Sequence, residues 1–131
     1  MTVRLLLDSN VFLWWSGRRS ELSEGIVEAI VGADEVFLSI VTPWELELKK
    51  ALGKLTFPAD LWDKLSERGL SLLSIHLADT LAAARLPMHH RDPFDRMIIA
   101  QALGRSLTVV TRDAWFASYG VPIPMPALRQ S

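Results

Sequence analysis

Four acidic side chains, Asp8, Glu45, Asp95 and Asp113, fall where a fold can bring them together. Asp8 follows the apolar run Val3-Arg4-Leu5-Leu6-Leu7, and Glu45 lies in Thr42-Pro43-Trp44-Glu45. Asp92 and Asp95 bracket Pro93-Phe94, and Asp113 closes Thr111-Arg112-Asp113. Carboxylates gathered at one point repel and raise one another's pKa unless a cation neutralises them. Oxygen-only donors suit the hard ions Mg2+ and Mn2+ rather than zinc or copper. Bound through one or two carboxylates and the oxygens of a phosphate, such an ion suits phosphodiester hydrolysis. It activates a water and offsets the charge that develops on the phosphate, and a second ion about 3.5–4 Å away would support the leaving oxygen.

The elements that must position these acids alternate between two periods. Val3–Leu7, Glu35–Val41, Ser71–Ile75 and Leu107–Val110 read as short buried strands. Val121–Met125 is a candidate last strand that its prolines confine to an edge. Between them the period becomes helical. Trp44, Leu48, Ala51, Leu52 and Leu55 form one apolar stripe, and Ile26, Ala29, Ile30 and Ala33 another. Phe94, Met97, Ile98 and Ala102 form a third, and Leu77, Leu81 and Ala84 a fourth. Strands alternating with helices predict an α/β domain around a mostly parallel sheet, a single unit over residues 1–131 with an irregular tail from about Pro122.

Asp8 ends the first strand. Thr42-Pro43-Trp44-Glu45 has the form of a capping box, which makes Thr42 the N-cap, Pro43 N1 and Glu45 N3. Asp92-Pro93-Phe94-Asp95 repeats that arrangement, and Thr111 is placed to cap a short helix with Asp113 in its first turn. Helices that follow parallel strands begin along the edge where ligand crevices form, so the acids can converge there. The alternative for Glu45 and Asp113 is a plain capping role, since the helix dipole favours first-turn acids by about 0.3–1 kcal/mol. Asp92 reads as an N-cap. Asp8, set between apolar runs, is expected to be buried and to need a partner.

Composition narrows the classes. Half of the 131 residues are hydrophobic, enough for a core that buries roughly two-thirds of the unfolded surface. There is no cysteine, which excludes disulfides, thiolate chemistry and cysteine-based zinc sites. The net charge of -1 gives no general support for nucleic-acid binding, so any such site must be local. Asp8 and Asn10 interrupt the apolar start before it resembles a signal peptide, and no apolar run approaches a membrane span. The expectation is a soluble cytoplasmic protein with no membrane partner.

Competing chemistry is absent from the sequence. His76, His89 and His90 lack metalloprotease spacing, and there is no phosphate-cradling glycine loop or serine elbow. His89 and His90 read as a solvated loop, with a phosphate contact as the alternative. Arg91, Arg96 and Arg112 lie near the proposed acids as candidate substrate contacts, and Lys49 is placed to pair with Glu45 at i,i+4. Trp44 is expected in the core. Trp14 and Trp15 are adjacent and cannot both point inward, so one is free for a partner surface.

Four stretches resemble the motifs of PIN-domain nucleases, in that family's order. Leu6-Leu7-Asp8-Ser9-Asn10 is similar to the opening motif, and Thr42-Pro43-Trp44-Glu45-Leu46 with Lys49 to the second. The segment from His90 to Ala102, containing Asp92-Pro93-Phe94-Asp95-Arg96-Met97, resembles the third motif of the VapC-type toxins. Thr111-Arg112-Asp113 before Trp115-Phe116 is similar to the fourth. The resemblance implies a PIN-like three-layer α/β/α sandwich and an Mg2+-dependent endoribonuclease, with Mn2+ as substitute. It implies the toxin of a type II toxin–antitoxin pair, partnered by RNA substrate, a VapB-like antitoxin and often a second copy of itself. Carried over by position, Asp8, Glu45, Asp95 and Asp113 become the catalytic acids. Asp8 and Asp95 are the principal metal ligands, joined where the site extends by Glu45 and Asp113, while Asn10 and Thr111 orient water or brace the acids.

Asp95 is preferred to Asp92, which has the capping role, and Glu45 to Glu47, which points elsewhere on the helix. Two alternatives stand beside this reading: a related metal-dependent nuclease acting on DNA, and a catalytically silent α/β protein-binding module whose acids only cap helices.

Overall fold

Leu5, Leu6 and Leu7 are each at most 1 % exposed, so the strand Arg4–Leu7 (β1) is covered on both faces. The computed structural model describes residues 2–120 and 122. Among these, β1 joins Glu35–Ser39 (β2), Ser71–Leu73 (β3) and Thr108–Val110 (β4) in one parallel sheet, ordered β3-β2-β1-β4. Leu5 pairs with Val36 on one side and Thr108 on the other. Alternation divides the core. Leu5 and Leu7 join Val36, Leu38 and Val110 in a cluster with Phe12, Trp15, Ile26 and Ile30. Leu6 and Val109 join Ile98, Ile99, Ala102 and Phe116 in the other. Helices Ser9–Gly17 (α1) and Glu24–Val31 (α2) supply the first cluster, and Pro93–Arg105 (α5) the second. Val41–Ala51 (α3) contributes to both, through Leu46 and Val41. This is the expected α/β/α sandwich.

The chain steps from β1 to β2 to β3 in one direction, then returns to place β4 on the far side of β1. That reversal opens a crevice at the carboxyl ends of β1 and β4. Asp8 follows β1 and Thr111 follows β4, and Asp8 N donates to Val110 O at 3.1 Å.

Several local expectations change. The strands are shorter than their apolar runs, and β2 stops at Ser39 because Ile40 and Val41 turn into a helix. Asp8 not only ends β1 but caps α1, a helix absent from the sequence expectation; its Oδ1 accepts from Val11 N at 2.8 Å. The Thr42–Glu45 capping box does not form. Ser39 Oγ accepts from Val41 N at 3.2 Å, and α3 begins at Val41. Pro43 then falls in the first turn, where its missing N–H costs nothing. Thr111 is not a helix N-cap either; Asp113 caps the short 3-10 helix Ala114–Tyr119 by accepting from Trp115 N at 2.9 Å. Asp92 does cap α5 as expected, accepting from Phe94 N and Asp95 N. Of the candidate strand Val121–Met125, all but Pro122 lies outside the described residues; the Pro122 carbonyl accepts from Val109 N.

Two apolar stripes face outward. On α3 the buried side chains are Val41, Thr42, Glu45 and Leu46, which leaves Trp44 64 % exposed and Leu48 and Leu52 exposed. Trp44, expected in the core, packs its ring edgewise on Phe94 instead. On Leu77–Arg85 (α4) the buried residues are Asp79 and Ala83, with Leu77 and Leu81 outward. Asp79 is drawn inward by Arg105 at 2.6 Å and by the His76 N–H at 2.8 Å.

Candidate active site

Asp8, Glu45, Asp95 and Asp113 line one cleft of about 260 Å3, together with Asp92 and Asn10. Each element delivers its acid for a local reason. Asp8 is fixed from two sides: Oδ1 accepts from Val11 N, and Oδ2 accepts from the Thr111 hydroxyl. Thr111 Oγ1 also accepts from Asp113 N at 3.0 Å, so one buried hydroxyl joins the ends of β1 and β4. Glu45 reaches the cleft because α3 packs on α1. Its Oε1 accepts from Ser9 Oγ at 2.6 Å, Ser9 Oγ meets Thr42 Oγ1 at 3.0 Å, and Oε2 pairs with Lys49 Nζ at 2.7 Å. Asp95 opens α5 at N3, and its Oδ2 lies 2.8 Å from His90 Nε2.

The electrostatics are lopsided. Five carboxylates line the cleft against Lys49 and Arg112. Burial pushes the Asp8 carboxyl up to about 7, and the nearby charges of Asp95 and Asp113 add to it; the Thr111 and Val11 hydrogen bonds only partly oppose this. Burial likewise raises Asp95 to about 6, with Asp92 and Glu45 adding repulsion and His90 opposing it. Burial acts to lower Lys49, yet the Glu45, Asp92 and Asp95 carboxylates outweigh it and raise that amine. A cleft holding two carboxylates this costly to ionise is matched to a divalent cation.

The candidate substrate arginines part company. Arg112 lines the cleft, with its guanidinium 4.8 Å from the Trp14 ring centre. Arg91 is exposed. Arg96 is not a substrate contact: it is 6 % exposed, and its guanidinium donates to the carbonyls of Ala83, Ala84, Leu86, Pro87 and His90. Adjacent residues on a helix point about 100° apart, so Asp95 facing the cleft turns Arg96 into the protein. There it gathers the carbonyls at the end of α4. Glu47 turns away as expected and accepts from Trp62 Nε1 at 2.7 Å. Trp15 is buried and Trp14 sits at the cleft, so the pair divides as foreseen.

Two residues here escape sequence reasoning. Ser9 looks like a filler between Asp8 and Asn10, yet it positions Glu45. His90 reads as a solvated loop residue, yet its ring lies parallel to that of Trp115, planes 2° apart, and shares a hydrogen bond with Asp95. The donor atoms of His90, Asp95 and Asp113 lie within 4.8 Å of one another.

The PIN domain family profile matches residues 5–122. The chain belongs to the PIN domain family. This PIN domain is 30 % identical over 124 residues to Ribonuclease VapC22 of Mycobacterium tuberculosis, an alignment covering 92 % of this chain and 95 % of that one. Its fold is similar to a chain of VapBC2 from Rickettsia felis bound to a promoter DNA fragment, with a TM-score of 0.67 and 16 % identity over 92 % and 96 % of the two chains. It is also similar to a chain of FitAcB from Neisseria gonorrhoeae, with a TM-score of 0.63 and 25 % identity over 91 % and 95 %.

Proposed function

We propose that this PIN domain is a divalent-metal-dependent endoribonuclease and the toxin of a type II toxin–antitoxin pair. The observation that carries the reading is the convergence of Asp8, Glu45, Asp95 and Asp113 in one cleft, with two of the carboxylates raised by burial. The whole chain acts as one domain in this reading. Similarity to Ribonuclease VapC22 over nearly all of both chains supports the ribonuclease activity.

The donor set fits a hard cation. Asp8 and Asp95 would hold Mg2+, with Mn2+ as a substitute, and Asp113 and Glu45 extend the site. Bound there, the ion supplies an activated water and neutralises charge developing on the scissile phosphate. The side chains do the rest. Thr111 and the Val11 amide hold the Asp8 carboxylate in one orientation, and Thr111 ties Asp113 to it. Asn10, exposed at the cleft, orients water. Lys49 and Arg112 provide cationic contacts for the RNA backbone, and Arg91 a more distant one.

Partners follow from the surfaces. The structural neighbours include a toxin–antitoxin complex from Klebsiella pneumoniae, which supports a VapB-like antitoxin for this chain. A second cleft of about 490 Å3, lined by Leu13, Leu55, Phe57 and Leu61, shares Trp14 with the acidic one. An antitoxin segment lying there would reach the active site at Trp14. The outward stripes of α3 and α4 flank a groove floored by Phe94 and Met97. Exposed apolar surface of that kind is suited to a homodimer. Among the described residues no helix is long and apolar enough to cross a membrane; a toxin acting on RNA in this way works in the cytoplasm.

The test is transcriptome-wide mapping of new RNA 5′ ends in bacteria briefly induced for the wild type or for Asp8→Asn. Discrete new ends with the wild type alone are expected. Identical maps, with both proteins soluble and free of antitoxin, would overturn the ribonuclease reading in favour of a DNA nuclease or a silent binding module.

A further inference from the structure

We propose that His90 is a metal ligand, giving an ion at Asp95 and Asp113 one nitrogen donor and favouring Mn2+ over Mg2+. The inference rests on the metal-dependent reading above and adds a residue to it.

The placement of His90 is built, not incidental. Its backbone is held at both polar atoms: the N–H donates to Tyr119 Oη at 2.8 Å, and the carbonyl accepts from Arg96 Nη1 at 3.1 Å. Arg96 is buried and spends its other donors on the carbonyls of Ala83, Ala84, Leu86 and Pro87, so the turn carrying His90 is anchored to the end of α4. Trp115 lies parallel to the ring, with the planes 2° apart and the centroids offset at 6.3 Å. From this position Nε2 forms a hydrogen bond with Asp95 Oδ2 at 2.8 Å.

That arrangement matches a shared ion. Neighbouring donors on one octahedral cation lie about 3 Å apart, and opposite donors about 4 Å apart, when bonds are about 2.1 Å long. The His90–Asp95 separation already has the first value. The full His90, Asp95 and Asp113 group lies within 4.8 Å, so it contracts by less than about an ångström where its widest pair takes opposite positions on the ion. Asp8, Glu45, Asp92, Lys49 and Arg112 line the cleft beside Asp95 and Asp113, so three further acids and two cations set its charge. A purely carboxylate site would suit Mg2+, which dehydrates reluctantly and takes oxygen ligands. Adding an imidazole shifts preference toward first-row transition ions. An energetic consequence follows: loss of the imidazole should cost Mn2+ more than Mg2+.

The experiment uses the full-length protein with Mn2+ and Mg2+ as probes, in wild type, His90→Gln and Asp95→Asn. Calorimetry should show Mn2+ affinity falling about tenfold or more in His90→Gln, with Mg2+ affinity changed by less than about twofold. Pulsed electron paramagnetic resonance of the wild-type Mn2+ complex should show nitrogen coupling that changes with 15N-histidine labelling and is lost in His90→Gln. Mn2+ binding that needs Asp95 but carries no histidine coupling would overturn this inference and leave the metal-dependent reading intact. Equal loss of both ions in His90→Gln, without that coupling, would likewise overturn it and assign His90 to positioning Asp95. Binding of neither ion by the wild type would overturn the metal-dependent reading itself.

Discussion

Glu45 and Asp8 are buried to nearly the same degree, 4 % and 6 % exposed, and line the same cleft. Their surroundings treat the charge differently. Glu45 has Lys49 at 2.7 Å and the Ser9 hydroxyl at 2.6 Å, so its charge is balanced within the protein. Asp8 has a hydroxyl and an amide but, among the described residues, no cation as a hydrogen-bond partner, and burial raises its carboxyl to about 7. The lesson is a division of labour. Glu45 is a member of the fold as much as of the site, whereas Asp8 and Asp95 are left costly to ionise until a cation arrives.

The largest expected effect breaks that comparison through activity. Asp8→Asn or Asp95→Asn should lower kcat on RNA by about a thousandfold, roughly 4 kcal/mol of barrier. Glu45→Gln keeps an acceptor for Ser9 and should cost only about ten- to a hundredfold. Single-turnover cleavage of an RNA substrate at saturating Mg2+ checks both. Equal losses at Glu45 and Asp8 would mean that the two acids share one role.

Stability is the second way to separate them. The folded-state pKa of Asp8 lies above its unfolded value of 3.8, so between about pH 4 and 7 the native state holds more protons than the unfolded chain. The stability of the metal-free protein therefore falls as pH rises through that window, by on the order of 4 kcal/mol for this group. Asp95, raised to about 6, adds a smaller loss of the same sign. Urea denaturation in chelator at pH 4.5 and 8 should show this loss in the wild type and a clearly smaller one in Asp8→Asn. Mg2+ at a hundredfold above its dissociation constant should return about 2.7 kcal/mol at pH 8. A wild type equally stable at both pH values would deny Asp8 its uncompensated charge.

Much of this was legible from the residues, and the failures have common causes. Leu5-Leu6-Leu7 announces a strand covered on both faces, and Asp8 directly after it announces an acid at the edge of a sheet. Asp8, Asp95 and Asp113 are identifiable because each follows a strand or opens a helix, whereas Glu45, the fifth residue of α3, is reached through a capping box that does not form. The Ser9–Thr42–Glu45 relay is not, since it depends on how α1 packs on α3, 33 and 36 residues apart. Thr42 does not cap because Ser39, three residues earlier, competes as a start signal and captures the Val41 amide. Periodicity correctly found the stripes on α3 and α4, but periodicity cannot say whether the same chain covers them. Arg96 was readable in principle: a residue beside Asp95 on a helix cannot face the same way.

The smallest expected effect concerns Lys49, and it sharpens the comparison most finely. Lys49 is 39 % exposed at its side chain, so its pair with Glu45 is partly screened and contributes about 0.5 kcal/mol. Lys49→Met should lower the metal-free stability by no more than about 1 kcal/mol. It also strips Glu45 of its cation, which makes its surroundings resemble those of Asp8. A divalent ion then has one more unbalanced carboxylate to relieve, so the rise in Tm on adding Mn2+ at pH 8 should be larger in Lys49→Met than in the wild type. Differential scanning calorimetry with and without Mn2+ reads the difference directly. An unchanged rise would mean that Glu45 lies outside the ion's reach and serves the cleft only through Ser9.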